Sequence, residues 1–222
     1  LRSNNVLVTD LDGTLTKGGE DLVKPHTRET LLSIKSRGWT LVLATGRDRR
    51  YLMRRADLGG LFDAWVAEAG LSIYLPNTGT YRCFADDNWR ITVKKLTTFP
   101  FVEEKENTVV FRFEYLDVIR VEIMRLGINA VLRDNKGTVI LLPEGVNKAV
   151  GVKEALKLLN VDGPIVAIGD AKLDLELFEI ATFKTAVANA EQSLKEKADY
   201  VASRENGEGV VEIIQAILPR IG

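Results

Sequence analysis

The chain has 222 residues, 45% of them hydrophobic, with 30 Lys and Arg against 31 Asp and Glu. That balance excludes a protein drawn to nucleic acid by net charge, and the length suffices for a substantial core with a smaller module beside it. No apolar stretch reaches transmembrane length, no secretory signal opens the chain, and the lone Cys83 cannot form an internal disulfide, so the expected setting is a reducing cytoplasm without a membrane partner.

The first apolar run, Val6-Leu7-Val8-Thr9, reads as a buried strand. It stops at Asp10, with Asp12 two residues on and Gly13 allowing a sharp turn. A helix is predicted over 25–37, opened by Pro25 and ended by Gly38. A second strand, 39–44, runs into Thr45-Gly46-Arg47, and a basic helix follows over 48–57. Trp65-Val66-Ala67 makes a third strand. Such alternation implies an α/β fold with a doubly wound parallel sheet.

The pattern then changes. Residues 71–75 and 80–84 flank a Pro76-Asn77-Thr78-Gly79 turn and read as a hairpin. Residues 108–113 alternate as a strand, 116–126 are amphipathic, and 128–132 and 138–142 flank an Asp134-Asn135-Lys136-Gly137 turn. This is α+β in character, so the expected organisation is a core of residues 1–77 and 146–222 with a small α+β cap inserted over 78–145. Alternation resumes with a helix over 148–159, a strand over 165–168, a helix over 173–181 and a strand over 185–188. A short segment at 193–197, a strand over 199–202 and a closing helix over 209–218 complete the chain.

Chemistry in an open α/β sheet sits beyond the carboxyl ends of its strands. A carboxylate at Asp10 can attack phosphorus and form an aspartyl-phosphate, while Asp12 can protonate the leaving oxygen and later activate water. Taken alone, Asp and Gly after a strand also make an ordinary turn. Thr45 can donate its hydroxyl to a phosphate oxygen or cap the helix that follows. Lys148 can supply a compact positive charge or stand solvated on its helix. Asp170 is readable singly as a turn residue and Asp174 as a surface carboxylate near a helix start. His26 is expected in an exposed first turn. Arg47, Arg49, Arg50, Arg54 and Arg55 read as a solvated helix face, with Arg47 near a substrate mouth; no aromatic platform accompanies them for nucleic acid. Asn189 either orients a loop near Asp170 or makes a turn. Cys83, in an apparent strand, is read as a small buried apolar residue.

The segment Val8-Thr9-Asp10-Leu11-Asp12-Gly13-Thr14-Leu15 resembles the first motif of the haloacid dehalogenase superfamily. Thr45-Gly46-Arg47, Lys148 in Gly145-Val146-Asn147-Lys148, and Gly169-Asp170-Ala171-Lys172-Leu173-Asp174 are similar to the next three motifs, in order. The resemblance covers essentially the whole chain. An insertion between the second and third motifs resembles the type IIB, Cof-like phosphatases with a C2B-like cap. Val66-Ala67-Glu68-Ala69-Gly70 and Ala186-Val187-Ala188-Asn189-Ala190 are similar to sequences of that group. Length and cap size look most like its archaeal phosphoglycolate-phosphatase and sucrose-phosphatase-like branch.

The resemblance implies a Rossmann-like core and Mg²⁺ held by Asp10, the backbone carbonyl of Asp12, Asp170 and, through water, Asp174. It implies phosphate bound by Thr45, Gly46 and Lys148, with Arg47 and Asn189 in support. The implied substrate is a small phosphate ester, phosphoglycolate first and a sugar phosphate second, with no nucleic acid partner, on a monomer or homodimer. A phosphotransferase or phosphomutase is the alternative, and a non-catalytic regulator the remotest. Two positions depart from the pattern. Leu173 stands where the fourth motif usually has Asn, and Ala69 stands where strand three's E-N-G has Asn.

Overall fold

The computed structural model describes residues 2–19 and 21–221. In chain order the elements are β1 (Arg2–Ser3), β2 (Val6–Thr9), α1 (Pro25–Ser36), β3 (Thr40–Ala44), α2 (Arg49–Met53), β4 (Ala64–Ala67), β5 (Ser72–Leu75) and β6 (Thr80–Cys83). Next come α3 (Asp87–Leu96), β7 (Val102–Glu104), β8 (Val109–Arg112), α4 (Leu116–Leu126), β9 (Ala130–Asn135) and β10 (Thr138–Pro143). The chain closes with α5 (Lys148–Leu159), β11 (Val161–Asp162), β12 (Ile165–Gly169), α6 (Leu175–Phe178), β13 (Phe183–Ala186), α7 (Gln192–Lys195), β14 (Tyr200–Val201) and α8 (Asn206–Ile221).

The large sheet has eight strands in the order β14-β13-β12-β2-β3-β4-β5-β6. It is parallel from β14 to β4, and the β5–β6 hairpin adds an antiparallel edge. Strands β2 and β3 are buried throughout, as expected of strands covered on both faces. Helix α1 packs on α8, and α5 lies across β3, β4 and β5. Order reverses at β2, with β12 on one side and β3 on the other, so the ends of these three strands flank one crevice.

A second sheet, antiparallel and ordered β7-β8-β10-β9, has its own apolar cluster with α3 and α4. Val109, Phe111, Val139 and Leu141 pack with Trp89, Val93, Ile119 and Ile123. The alternate residues Val110 and Ile140 line a cavity between this sheet and the strand ends, following the period of two.

Three differences from the expected elements have physical causes. Strand β6 lies within residues 78–145 yet pairs with β5 as an edge of the large sheet, because its hairpin partner is already anchored on β4. The basic helix shortens to α2 followed by a 3₁₀ turn at Ala56–Leu58, since Arg55 folds back onto Asp57. The helix expected over 173–181 is a 3₁₀ turn, Lys172–Asp174, and one α turn. No helix among the described residues is long and apolar enough to cross a membrane.

Candidate active site

Asp10 follows β2, Thr45 follows β3, Asp170 follows β12 and Lys148 opens α5, so adjacent elements deliver the four motifs to one place. The local folds explain the delivery. Gly13 has φ 88°, and a Cβ there would stand 2.3 Å from Asp170 Oδ2, so only glycine lets the first loop close over the fourth. Asn147 caps α5 by accepting from Val150 N at 2.8 Å, which fixes where Lys148 begins. Gly151 keeps α5 tight on β4: a Cβ there would meet Val66 Cγ1 at 2.5 Å.

Lys148 is buried and donates to Asp10 Oδ1 and Asp174 Oδ1, each at 2.7 Å. Asp174 Oδ2 accepts from the amides of Asp170 and Ala171 at 3.0 Å each, so both its oxygens are engaged. Asp10 keeps Oδ2 without a hydrogen bond among the described residues. Asp170 is fully buried and accepts from Thr14 Oγ1 at 2.8 Å and from Lys136 Nζ.

The charges explain themselves. Burial pushes the Asp10 carboxyl up to about 8; Lys148 draws it down, and Asp174 and Asp170 push it further up. Burial and Asp174 raise Asp170 as well, against Lys136 and Thr14. Burial opposes the charge on Lys148, but Asp10 and Asp174 outweigh it and hold that lysine protonated above its usual range. Ligand oxygens of Asp10, Asp170 and Asp174 lie within 4.8 Å of one another. Three hard oxygen donors that repel each other's charge fit a divalent cation of the Mg²⁺ kind, with no sulfur or imidazole in the set.

Asp12 points elsewhere. Arg47 grips it with two hydrogen bonds, Nε to Oδ2 at 2.8 Å and an Nη to Oδ1 at 3.0 Å, and lies 4.5 Å over the Tyr51 ring. Thr45 Oγ1 accepts from Arg47 N at 3.1 Å; the cap of α2 is instead Asp48, which accepts from Tyr51 N. Gly46 lines the cavity beside Thr45 and Arg47. The cavity holds about 310 Å³ and is bounded by Asp10, Asp12 and Leu173 on one side and by Glu103, Lys105 and Ile140 on the other. Asn189 donates to Gly13 O at 2.7 Å and accepts from Asn206 N at 2.8 Å, tying the first loop to the start of α8. Asn189 thus holds the Gly13 loop, which packs against Asp170.

Several other side chains stand apart from their sequence reading. Arg49 is paired with Glu106, and Arg55 is buried against Asp57 and the Tyr51 hydroxyl, so the basic run is not one solvated face. Arg47, Arg49 and Arg55 fix α2 to its neighbours, while Arg50 and Arg54 stay exposed. His26 is exposed. Cys83 is half-buried on the edge strand β6, and burial pushes its thiol up. Leu173 is buried in the cap-side apolar cluster, where an Asn would need a partner.

Sequence reasoning missed Lys136, Thr14 and the Glu68–Asn107 contact. Lys136, at φ 52° in the β9–β10 turn, reaches Asp170; in sequence it is only part of a turn signal. Thr14 sits inside the first motif, but nothing in that pattern says its hydroxyl faces Asp170. Glu68, fully buried at φ 50°, accepts from Asn107 N and Nδ2 at 2.7 Å each and from Ser72 Oγ at 3.0 Å. Burial pushes the Glu68 carboxyl up in spite of these donors. Arg133 Nε donates to Glu176 Oε1 at 3.0 Å, while Glu176 Oε2 takes Lys148 N at 2.9 Å. The second sheet is thus tied to the site's own elements by Lys136 and Arg133.

Residues 7–85 and 76–214 match the family model of the haloacid dehalogenase-like hydrolases. Phosphoglycolate phosphatase 2 of Saccharolobus solfataricus is 32% identical over 97% of this chain and 94% of its own. The phosphoglycolate phosphatase of Sulfurisphaera tokodaii is 26% identical over 96% and 94%. Among solved structures, a Thermoplasma acidophilum protein superposes with a TM-score of 0.79 at 20% identity, covering 97% of this chain and 98% of that one. The Synechocystis sucrose-phosphatase, solved with sucrose and phosphate, gives 0.72 at 21% identity over 97% and 98%. These two share the fold.

Proposed function

This chain belongs to the haloacid dehalogenase-like hydrolases, and on that premise we propose that it hydrolyses a small phosphomonoester through a phosphorylated Asp10. The observation that carries this is the division of labour on one carboxylate. Lys148 holds Asp10 Oδ1 at 2.7 Å, and Oδ2 is left for attack. Oδ2 bonds to phosphorus, the ester P–O bond breaks, and the departing oxygen takes a proton from Asp12. Water then attacks the aspartyl-phosphate, its proton returns to Asp12, and inorganic phosphate leaves with Asp10 restored. For this Asp12 exchanges its contact with Arg47 for the leaving oxygen. Lys148 and the Thr45 hydroxyl bind phosphate oxygens beside Gly46, and Asn189 steadies the loop that carries both aspartates.

Asp10, Asp170 and the Asp12 carbonyl would hold Mg²⁺ directly, with Asp174 behind, since its oxygens already hold Lys148 and two amides. Bound there, the cation neutralises charge on the transferring phosphoryl group. Residues between β6 and α5 act as a cap that completes the cavity and reads the rest of the substrate. A cavity of about 310 Å³ suits a compact substrate, and a second anionic group on it would draw Arg47 and Lys105 from their wall partners Asp12 and Glu103. Phosphoglycolate has that form, and the names of the relatives support it. A panel of phosphomonoesters assayed with Mg²⁺ tests the assignment. Phosphoglycolate should give the highest kcat/KM; a sugar phosphate ranking above it would move the assignment to neutral, larger esters, and preferential transfer to an added alcohol would make the protein a phosphotransferase.

A further inference from the structure

The outer face of α4 is apolar where a solvated helix would be polar. Val118, Val121 and Met124 are 48, 61 and 73% exposed, and Phe113, just before the helix, is 50% exposed. A spacing of three aligns the first three in one stripe, while Ile119 and Ile123 point into the apolar cluster behind. No residue of α4 lines the active-site cavity. An exposed stripe of this kind marks a contact surface.

The order of residues around the stripe says what it contacts. From Leu116 to Leu126 the helix reads Leu-Asp-Val-Ile-Arg-Val-Glu-Ile-Met-Arg-Leu. Counted outward from Val121, the positions outside the apolar cluster find complements: Arg120 faces Glu122, Val118 faces Met124 and Asp117 faces Arg125, while Leu116, Ile119, Ile123 and Leu126 stay packed within their own copy. We propose that α4 pairs antiparallel with α4 of a second copy of this chain, about a two-fold axis at Val121. In an isologous contact residue i meets j while j meets i. An antiparallel pair centred on Val121 therefore sets Asp117 against Arg125 twice, Arg120 against Glu122 twice, and Val118 on Met124. A parallel pair would set Asp117 on Asp117 and Arg125 on Arg125, which charge repulsion opposes.

Within one copy these charges already pair along the helix, Arg120 with Asp117 at 3.4 Å and Arg125 with Glu122 at 2.6 Å. Such exposed pairs are weak and exchange readily for the partner's. One helix of this length buries an area at the low end for specific interfaces, so the dimer is a weak one whose population depends on protein concentration. Both cavities stay open, because the contact lies on a helix that does not line them.

Sedimentation equilibrium of the full chain over a concentration series tests this, with Asp117→Arg and Arg125→Asp as variants. Each single change places like charges together twice in a homodimer and should weaken dimerisation about tenfold or more. An equimolar mixture of the two variants restores every opposite-charge contact in a heterodimer, and should recover dimerisation to within about threefold of the native chain. Both variants should keep native turnover of an aryl phosphate and native circular dichroism, since neither residue touches the site or the core. A native chain that stays monomeric at hundreds of micromolar overturns the proposal. So does a dimer indifferent to either variant, or a mixture no better than its components.

Discussion

At the scale of single residues, the decisive feature is that Asp10 and Asp170 are placed where their own charge is unwelcome. Asp10 is raised to about 8 by burial, with Asp174 and Asp170 adding to the rise against Lys148. A carboxyl raised on folding binds its proton more tightly in the folded state. Its contribution to stability is therefore complete below the unfolded value and is lost as pH rises towards about 8. A divalent cation among these carboxylates reverses the penalty, so Mg²⁺ should raise the melting temperature more at pH 8 than at pH 5. Scanning calorimetry at both values checks this, and an equal or inverted increment contradicts it. By the same reasoning Asp10→Asn should lower turnover by about three orders of magnitude or more while leaving metal-free thermal stability equal or higher. Asp12→Asn should harm alkyl esters more than aryl phosphates, whose leaving groups need less protonation; equal losses would remove Asp12 from acid–base work. These positions were legible in the sequence because each stands at a strand end or helix start. What it did not convey was which oxygen each uses: that Lys148 takes Asp10 Oδ1 and that Arg47 holds Asp12 depends on rotamers set by tertiary packing.

At the scale of elements, tight contacts carry the site's precision. Helix α5 reaches β4 through Gly151, where a Cβ would stand 2.5 Å from Val66 Cγ1 and 2.8 Å from Gly70 Cα. Gly151→Ala should cost about 1–3 kcal/mol by overpacking and should lower kcat as Lys148 shifts with its helix. Denaturant titration beside steady-state kinetics reads both; full activity at reduced stability would detach Lys148 from that packing. The β9–β10 turn delivers Lys136 onto Asp170, against the cost of burial, and that hydrogen bond raises the lysine's affinity for its proton. An ammonium there competes with a cation for the same carboxylate. Lys136→Ala should tighten Mg²⁺ binding severalfold in calorimetry of the full chain, whereas weaker binding would make Lys136 a support of the metal site. Helices α4 and α5 were legible to the residue, over 116–126 and 148–159, and the structure adds their caps at Gly127 and Asn147. Helix α3 was not. Its run Ile91-Thr92-Val93 is β-branched and argues against helix locally, but the Asp86 cap and burial of Trp89, Val93 and Leu96 override that preference.

At the scale of the molecule, the parallel sheet was legible because alternating strands and helices have few right-handed solutions, whereas the strand order came only with the structure. The division of the chain was less so. Strand β6 lies beyond residue 77 yet belongs to the large sheet, because a hairpin's periodicity carries no mark of which sheet it extends. Contacts between the two sheets, Lys136 with Asp170, Arg133 with Glu176 and Asn107 with Glu68, join residues far apart in sequence and left no local trace. All of these features serve one claim, that Asp10 carries the phosphoryl group. The direct measurement uses Asp12→Asn, which should slow hydrolysis of the intermediate more than its formation from an aryl phosphate. The variant is mixed with that ester and Mg²⁺, quenched in acid, and mapped by peptide mass spectrometry. The account predicts one phosphoryl group, on Asp10, absent when Asp10 is also changed to Asn. Phosphate release with the phosphoryl group on another residue, or turnover undiminished by Asp10→Asn, would contradict it.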